Sequence, residues 1–365
     1  MKEIKVYIQY PWRISDSQYY KNMLDYPPEG IKYSQKLKKV GMITNKKSLN
    51  FENKLKSFLR RIPKKFNLNI PNVKKTMSNK NYDLIHCAHC LSLNNSPWVA
   101  DFESLWQIWV SGKPKKKGKK IILKLLQKES CKKIIAWTEY TKREIVQAFP
   151  EIKHKVTVIP FALPPKKKKK KIDKKIKLFF VGRYFRKKGG LHTLRVFDIL
   201  TKKYPHVEGI FVSQVPPKIK KQYSKNKQLK IYDLIPYKKI MEDLFPSSDI
   251  YIYPGYSDTF GFTFIEALSF GLPIITVEGH ARKDIITPGK TGFIVNRPIN
   301  LNADKLGKSE EQVIQQIVKY ASELIENKQL LQKMSQNCYN EVENGKFSLN
   351  EKNKKLLKIY KEALN

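Results

Sequence analysis

What this chain has little of narrows it before any motif is considered. It holds only four cysteines in 365 residues, Cys87, Cys90, Cys131 and Cys338, too few and too scattered for a disulfide framework. Cys87 and Cys90 form a C-A-H-C segment behind His86. No second ligand pair stands at zinc spacing, so two small buried residues ending a strand are expected, and no metal. No stretch approaches the roughly 20 apolar residues that span a bilayer. The opening MKEIKVYIQYPW reads as a strand without a signal peptide's apolar core. The expectation is an intracellular (cytoplasmic) protein, soluble or peripheral on the inner face of the membrane. No repeat of about 20 to 50 residues recurs, which argues against a solenoid. Hydrophobic residues make up 41% of the chain, enough apolar material for two cores and unlike a disordered composition.

Negative charge is also scarce. Lys and Arg number 72 against 32 Asp and Glu, a net +40. The excess is uneven: residues 1–165 carry 33 basic and 12 acidic side chains (+21), and residues 166–250 carry 24 and 7 (+17). Residues 251–350 carry 10 and 11 (−1), and the last fifteen give +3. A lysine-rich background would not by itself leave a neutral block of one hundred residues. Such a field attracts polyanions: nucleic acid, anionic lipid or phosphorylated small molecules. No recognised nucleic-acid-binding module and no Gly–aromatic RNA-binding signature is present, so a nucleic-acid partner is not expected.

Short apolar runs alternate with helical patterns, the pattern of βαβ units around a parallel sheet. Strands are expected at 4–10, 83–88, 132–138 and 155–163, with a helix at about 140–148. The composition then breaks at PPKKKKKKIDKK (164–175), where two prolines stop the strand and the charges that follow cannot pack; a linker or exposed loop is expected there. Beyond it strands are expected at 176–183, 207–213, 249–255, 272–277 and 290–295. Helices are expected at 189–205, with Leu191, Leu194, Phe197 and Leu200 on one face, at 262–271, and at about 349–363. Ligands of open parallel sheets bind beyond the carboxyl ends of the strands.

Two segments carry chemistry. In FFVGRYFRKKGG (179–190) a hydrophobic strand ends at Val181 and Gly182 permits a tight turn. Arg183 stands at the strand's carboxyl end, and Lys188 precedes the two glycines that open a helix. Glycines let backbone N–H groups approach a phosphate, and the helix N-terminus favours an anion. Arg183 offers a planar fork and Lys188 a point charge to a diphosphate whose negative charge grows as it leaves. A solvated basic turn is the alternative, because Arg186, Lys187 and Lys188 are contiguous. In PGYSDTFGFTFIEALSFGLPII (254–275), Asp258 precedes a helix and Glu266 follows eight positions on, about 12 Å of helical rise. Two carboxylates so spaced suit the hydroxyls at opposite ends of one elongated ligand rather than a close acid–base pair. The amides of Phe260, Gly261 and Phe262 stand at the helix N-terminus. Here the alternative is that Asp258 caps the helix and Glu266 is a solvated charge.

Taken together, the two segments resemble glycosyltransferase family 4, retaining enzymes of the GT-B fold. GRYFRKKG matches the family's G-R-x4-K-G spacing. DTFGFTFIEALSFGLPII matches its E-x7-E segment, with Asp258 for the first Glu. KTGFIV and GKFSLNEKNKKLLKIYKEAL resemble its later strand and its C-terminal helix. The resemblance is clear over about 176–365, weaker over 81–163 and thin before residue 80. It implies an α/β fold of two facing Rossmann-like domains with parallel sheets. Residues 1–164 would bind the acceptor, 165–175 would link, 176–340 would bind the donor, and 341–365 would cross back to the first domain. It implies that Arg183 and Lys188 hold the donor's diphosphate and that Glu266 binds the ribose. Asp258, with the amides near Phe260, Gly261 and Phe262, would hold the transferred sugar. It further implies retention of anomeric configuration and no metal or other cofactor, with a nucleotide-diphosphate sugar as co-substrate.

Three departures stand out: Asp258 is shorter than Glu, no glycine pair follows the first strand in YPWRISDSQYY, and PWVADFES stands where the family often has a His. Asp101 and Glu103 in that segment, with His86, are the candidates for the sugar or acceptor side; an ordinary polar loop and a satisfied structural His are the alternatives. The tracts KPKKKGKK (113–120), with Trp98, Trp106 and Trp109 nearby, and KKKKKKIDKK (166–175) suggest an anionic membrane surface or solvated loops. The expected function is a hexosyltransferase acting on a glycan, lipid-linked or small-molecule hydroxyl. A polyanion-binding protein on the same scaffold and a sugar-nucleotide epimerase are the alternatives.

Overall fold

The computed structural model describes residues 3–10, 18–34, 70–76, 81–111, 116–167 and 175–365. The chain divides into two compact units, Met1–Phe161 with Leu349–Asn365, and Ala162–Ser348.

The first unit is built on six parallel strands: β1 (Ile4–Gln9), β2 (Ile31–Tyr33), β3 (Leu84–Ala88), β4 (Trp98–Phe102), β5 (Cys131–Ala136) and β6 (Val156–Val158). Their order is β6-β5-β4-β3-β1-β2, with Val6 opposite Leu84 and Ala100 opposite Ile134. The order reverses between β1 and β3, the switch point at which such sheets open toward ligands. Parallel strands covered on both faces read as continuous apolar runs rather than alternating ones, and β3 and β4 are buried along their whole length. One face packs Ile85, Trp98, Phe102 and Ile134. The other packs Val6, Leu84, Val99 and Ile135 against Leu356, Ile359, Tyr360 and Ala363 of the last helix, Leu349–Leu364. That helix starts at Leu349, whereas residues 341–343 end the helix Lys328–Glu343. Thr138 caps the Glu139–Ala148 helix, its side chain accepting from Thr141 N at 3.1 Å.

Three local expectations change here. PWVADFES is not a polar loop: its Trp98–Phe102 portion is a buried central strand. Asp101 is tolerated inside it because neighbouring donors satisfy the carboxylate, as described below. The strand expected at 155–163 is only Val156–Val158. The tract 113–120 runs into a helix, Lys116–Gln127, rather than a loop throughout; residues 113–115 and 168–174, like 11–17 after the first strand, lie outside the described residues.

The second unit repeats the plan with β7 (Ile176–Val181), β8 (Val207–Val212), β9 (Leu229–Tyr232), β10 (Ile250–Ile252), β11 (Ile274–Val277) and β12 (Gly292–Val295). All are parallel, in the order β9-β8-β7-β10-β11-β12, which is the Rossmann order 3-2-1-4-5-6. The switch point falls between β7 and β10, whose Leu178 and Ile250 are partners. On the helix Gly190–Lys203, Leu191, Leu194, Phe197 and Leu200 are all buried, as their spacing predicts; each contributes about 2 kcal/mol by leaving water. Among the described residues, no helix is long and apolar enough to cross a membrane.

Candidate functional site

The loops after β7 and β10 meet at the switch point of the second unit. Gly182 ends β7, its amide donating to Val212 O at 3.0 Å. A Cβ there would lie 3.0 Å from Lys188 Cβ, so its bareness lets the chain fold back on itself. The turn closes through Lys188 N to Tyr184 O (2.9 Å) and Gly190 N to Phe185 O (2.7 Å). Gly189 has φ +80°, and a Cβ on it would stand 2.6 Å from Pro254 Cβ. The loops touch directly, with Gly255 N donating to Lys188 O at 3.2 Å.

This approach brings side chains 70 residues apart into contact: Lys188 Nζ forms an ion pair with Asp258 Oδ1. Their side chains are 18% and 13% exposed, where an ion pair is screened far less than on the surface. Tyr253 Oη donates to the other carboxylate oxygen, Oδ2, at 2.8 Å. The basic turn is therefore not uniformly solvated. Lys187 is exposed and Arg186 reaches away to Asp304, its Nη1 donating to the backbone oxygen at 2.9 Å. Arg183, directly after Gly182, is partly buried.

Asp258 does not cap the following helix, Phe262–Ser269. Gly261 stands at the N-cap with φ +86° and no side-chain bond, between Phe260 and Phe262. Asp258 lies before it in a turn, its own amide donating to Gly255 O at 3.0 Å. Glu266 is not solvated either: it is 4% exposed and accepts from Tyr237 Oη at 2.7 Å. Burial pushes its carboxyl up to about 7, against the lowering effect of that bond. A carboxyl so raised is only partly ionised near neutral pH, and its ionised form is an acceptor-only group.

In the first unit His86 and Asp101 come together, and Glu103 does not join them. His86 lies within β3 and is 2% exposed. Its Nδ1 is 2.6 Å from Tyr360 Oη, which is in turn 3.2 Å from Tyr33 Oη. Its Nε2 stands 3.7 Å from Asp101 Oδ1. Asp101 Oδ2 accepts from Tyr19 Oη and, at 3.0 Å, from Trp137 Nε1, and His89 N donates to Oδ1 at 3.3 Å. Burial drives the Asp101 carboxyl up to about 7 despite these bonds. Burial first, then the charge of Lys352, holds the His86 imidazole down at about 3 and therefore neutral. The cluster is an interior polar chain reaching from the last helix to the carboxyl edge of the sheet. Glu103 lies beyond the strand, and its backbone oxygen accepts from Thr141 Oγ1 at 2.6 Å.

Sequence reasoning missed Tyr253, Tyr237 and Arg282 in the second unit and Tyr19 and Trp137 in the first. Tyr253 had one usable signal, the position just past a buried strand at a switch point; the others had none. Cys87 and Cys90 are buried as expected. Gln9 Nε2 lies 3.4 and 3.8 Å from their sulfurs, and burial pushes the Cys87 thiol well up. The aromatic–basic surface is corrected: Trp98 and Trp109 are 0% and 3% exposed, and of the three only Trp106, at 55%, faces water. Both indoles were claimed by the core of the first unit.

Residues 164–341, nearly all of the second unit, match the family model of glycosyl transferases group 1. An uncharacterized glycosyltransferase of Haemophilus influenzae is 29% identical over 218 residues, 58% of this chain and 57% of that protein. The chain spans about three fifths of the length of the curated relatives it matches. A glycosyltransferase from Rickettsia africae superposes over 100% of this chain and 99% of its own, with a TM-score of 0.62 at 18% identity. Anabaena HepE in complex with UDP-glucose superposes over 98% and 99%, with a TM-score of 0.59 at 13% identity. The fold is the GT-B class, two Rossmann-like units with parallel sheets.

Proposed function

We propose that the protein is a glycosyltransferase that moves a hexose from a nucleotide-diphosphate sugar to an acceptor hydroxyl, with retention at the anomeric carbon. The observation that carries this reading is the meeting of Lys188 and Asp258 at the switch point, with Glu266 buried on the next helix. In this reading Arg183 and Lys188 hold the diphosphate and stabilise its charge as the anomeric C–O bond breaks, the task a divalent ion performs elsewhere. Gly182 and Gly189 keep the backbone close to the phosphates. Glu266 accepts from the ribose hydroxyls, beside Tyr237. Asp258 and the amides of Phe260, Gly261 and Phe262 hold the sugar. The acceptor oxygen bonds to the anomeric carbon from the face the phosphate leaves, and its proton passes to the departing phosphate oxygen. The first unit would take the acceptor, a glycan, lipid-linked or small-molecule hydroxyl.

UDP-glucose in the complex with HepE makes UDP-sugars the first donors to try. A thermal-shift screen against UDP-, GDP- and ADP-sugars should raise Tm for one nucleotide class. Glu266→Ala should remove that shift. Indifference to the whole panel, joined to steeply salt-dependent binding of DNA or RNA, would favour the polyanion-binding alternative.

A further inference from the structure

We infer that Arg282 is a positioning residue of the donor site: it fixes the turn that carries Asp258, and through that turn the carboxylate that holds the transferred sugar. The inference rests on the role proposed above for Asp258.

Arg282 follows β11, opens the short helix Arg282–Ile285, and is 1% exposed. A guanidinium is costly to bury, and an apolar side chain would fill the same space without that cost. Its donors point to a purpose. Nη2 donates to Gly255 O at 2.5 Å and Nη1 to Phe260 O at 3.5 Å. These two carbonyls bracket Asp258 in the chain. Gly255 O is also the acceptor for the Asp258 amide, at 3.0 Å, so one oxygen ties the guanidinium to the backbone of the carboxylate. The planar group lies 4.7 Å from the Phe264 ring centroid. That ring is also 5.4 Å, edge-on, from Tyr253, the residue that donates to Asp258 Oδ2.

The arrangement is a brace. Lys188 and Tyr253 hold the carboxylate, and Arg282 holds the two peptide groups on either side of it. Burial pulls the guanidinium's proton affinity down, and the Asp258 carboxylate pulls it back up, so the two charges sense one another. A lysine keeps the charge but lacks the fork that reaches both carbonyls. Asp258 is already shorter than the family's Glu, and a short carboxylate depends more on where its backbone is held. Displacing such a group by about 1 Å is enough to cost on the order of a hundredfold in turnover.

The test is calorimetric titration of wild type, R282K, R282M and D258A with UDP and UDP-glucose, GDP and GDP-mannose, and ADP and ADP-glucose, followed by donor-hydrolysis rates. In R282K and R282M the Kd for the free nucleotide should stay within about twofold. The Kd for the nucleotide sugar should rise about tenfold or more relative to it, with hydrolysis slowed at least as much. R282M combined with D258A should be no worse than D258A, because a positioning residue has nothing left to position. Parallel weakening toward nucleotide and nucleotide sugar, or an additive loss in the double variant, would reduce Arg282 to general support of the fold and overturn the inference. So would wild-type behaviour of R282K. If R282M does not fold, R282K alone decides the question. D258A retaining the wild-type ratio overturns the role of Asp258 itself, a different result from a failure confined to the Arg282 variants.

Discussion

Glu266→Gln should make the protein more stable above pH 7 while weakening its hold on the donor. Burial raises the Glu266 carboxyl from its ordinary 4.5 to about 7. At 1.36 kcal/mol per pH unit, the ionised side chain costs the folded state about 3 kcal/mol once the pH exceeds 7. The sign follows from proton binding: the folded state keeps this proton over a range where the unfolded chain has lost it. The cost is absent below pH 4.5, grows as the pH rises toward 7, and is constant above. The substituted glutamine keeps an oxygen for Tyr237 and has no proton to lose. Asp101, raised by burial from 3.8 to about 7, contributes a slope of the same sign in both proteins and cancels in their difference. The variant and wild type should therefore unfold together near pH 4.5 and separate progressively to about pH 8, the variant ahead by up to about 3 kcal/mol. For a unit of this size that is several degrees in Tm, at roughly 2–4 °C per kcal/mol. Nucleotide affinity should fall about 10- to 100-fold, because charge-assisted hydrogen bonds to the ribose become neutral ones. Thermal unfolding at half-unit pH steps, with calorimetry at about pH 8, reads both quantities. Parallel stability curves for the two proteins would refute the burial argument, and unchanged nucleotide affinity would refute the ribose role.

Gly189→Ala places a methyl 2.6 Å from Pro254 Cβ at φ +80°, forcing apart the two loops that meet at Lys188 and Asp258. Donor affinity should drop about tenfold or more, by the same displacement argument as above, and calorimetry giving a wild-type Kd would show that the close approach is dispensable. Tyr360→Phe removes the 2.6 Å partner of His86 Nδ1 and the 3.2 Å contact with Tyr33, leaving a buried imidazole nitrogen unmatched. The loss should be about 1–3 kcal/mol, read by hydrogen exchange in β3 and the Leu349–Leu364 helix. Unchanged protection there would mean that the chain from Tyr33 to His86 does not secure the helix.

Much of the fold was legible because parallel sheets write themselves into sequence. Runs such as Leu178, Phe179 and Phe180 are apolar on both faces, and Leu191, Leu194, Phe197 and Leu200 recur at helical rather than strand spacing. The failures share a cause. The strand Trp98–Phe102 is not legible in PWVADFES because Asp101 interrupts its apolar run, and a charged group in a central strand is tolerable only when distant residues, here Tyr19 and Trp137, supply its donors. The membrane-facing tryptophans were misjudged for the converse reason, since proximity to lysines in sequence does not reveal which way an indole turns.

The candidate site divides along the same line. By itself the sequence determined which groups stand at the carboxyl ends of two strands: Arg183 and Lys188 after one, Asp258 and Glu266 after the other. Local patterns suffice for that, because glycine turns and strand ends are properties of neighbouring residues. Only the tertiary structure decided that Lys188 pairs with Asp258, that Glu266 is sealed beside Tyr237, and that Arg282 braces the turn that carries Asp258. Those relations join residues far apart in the chain, and what a charge costs or contributes is set by the burial and partners it acquires once the sheet has closed around it.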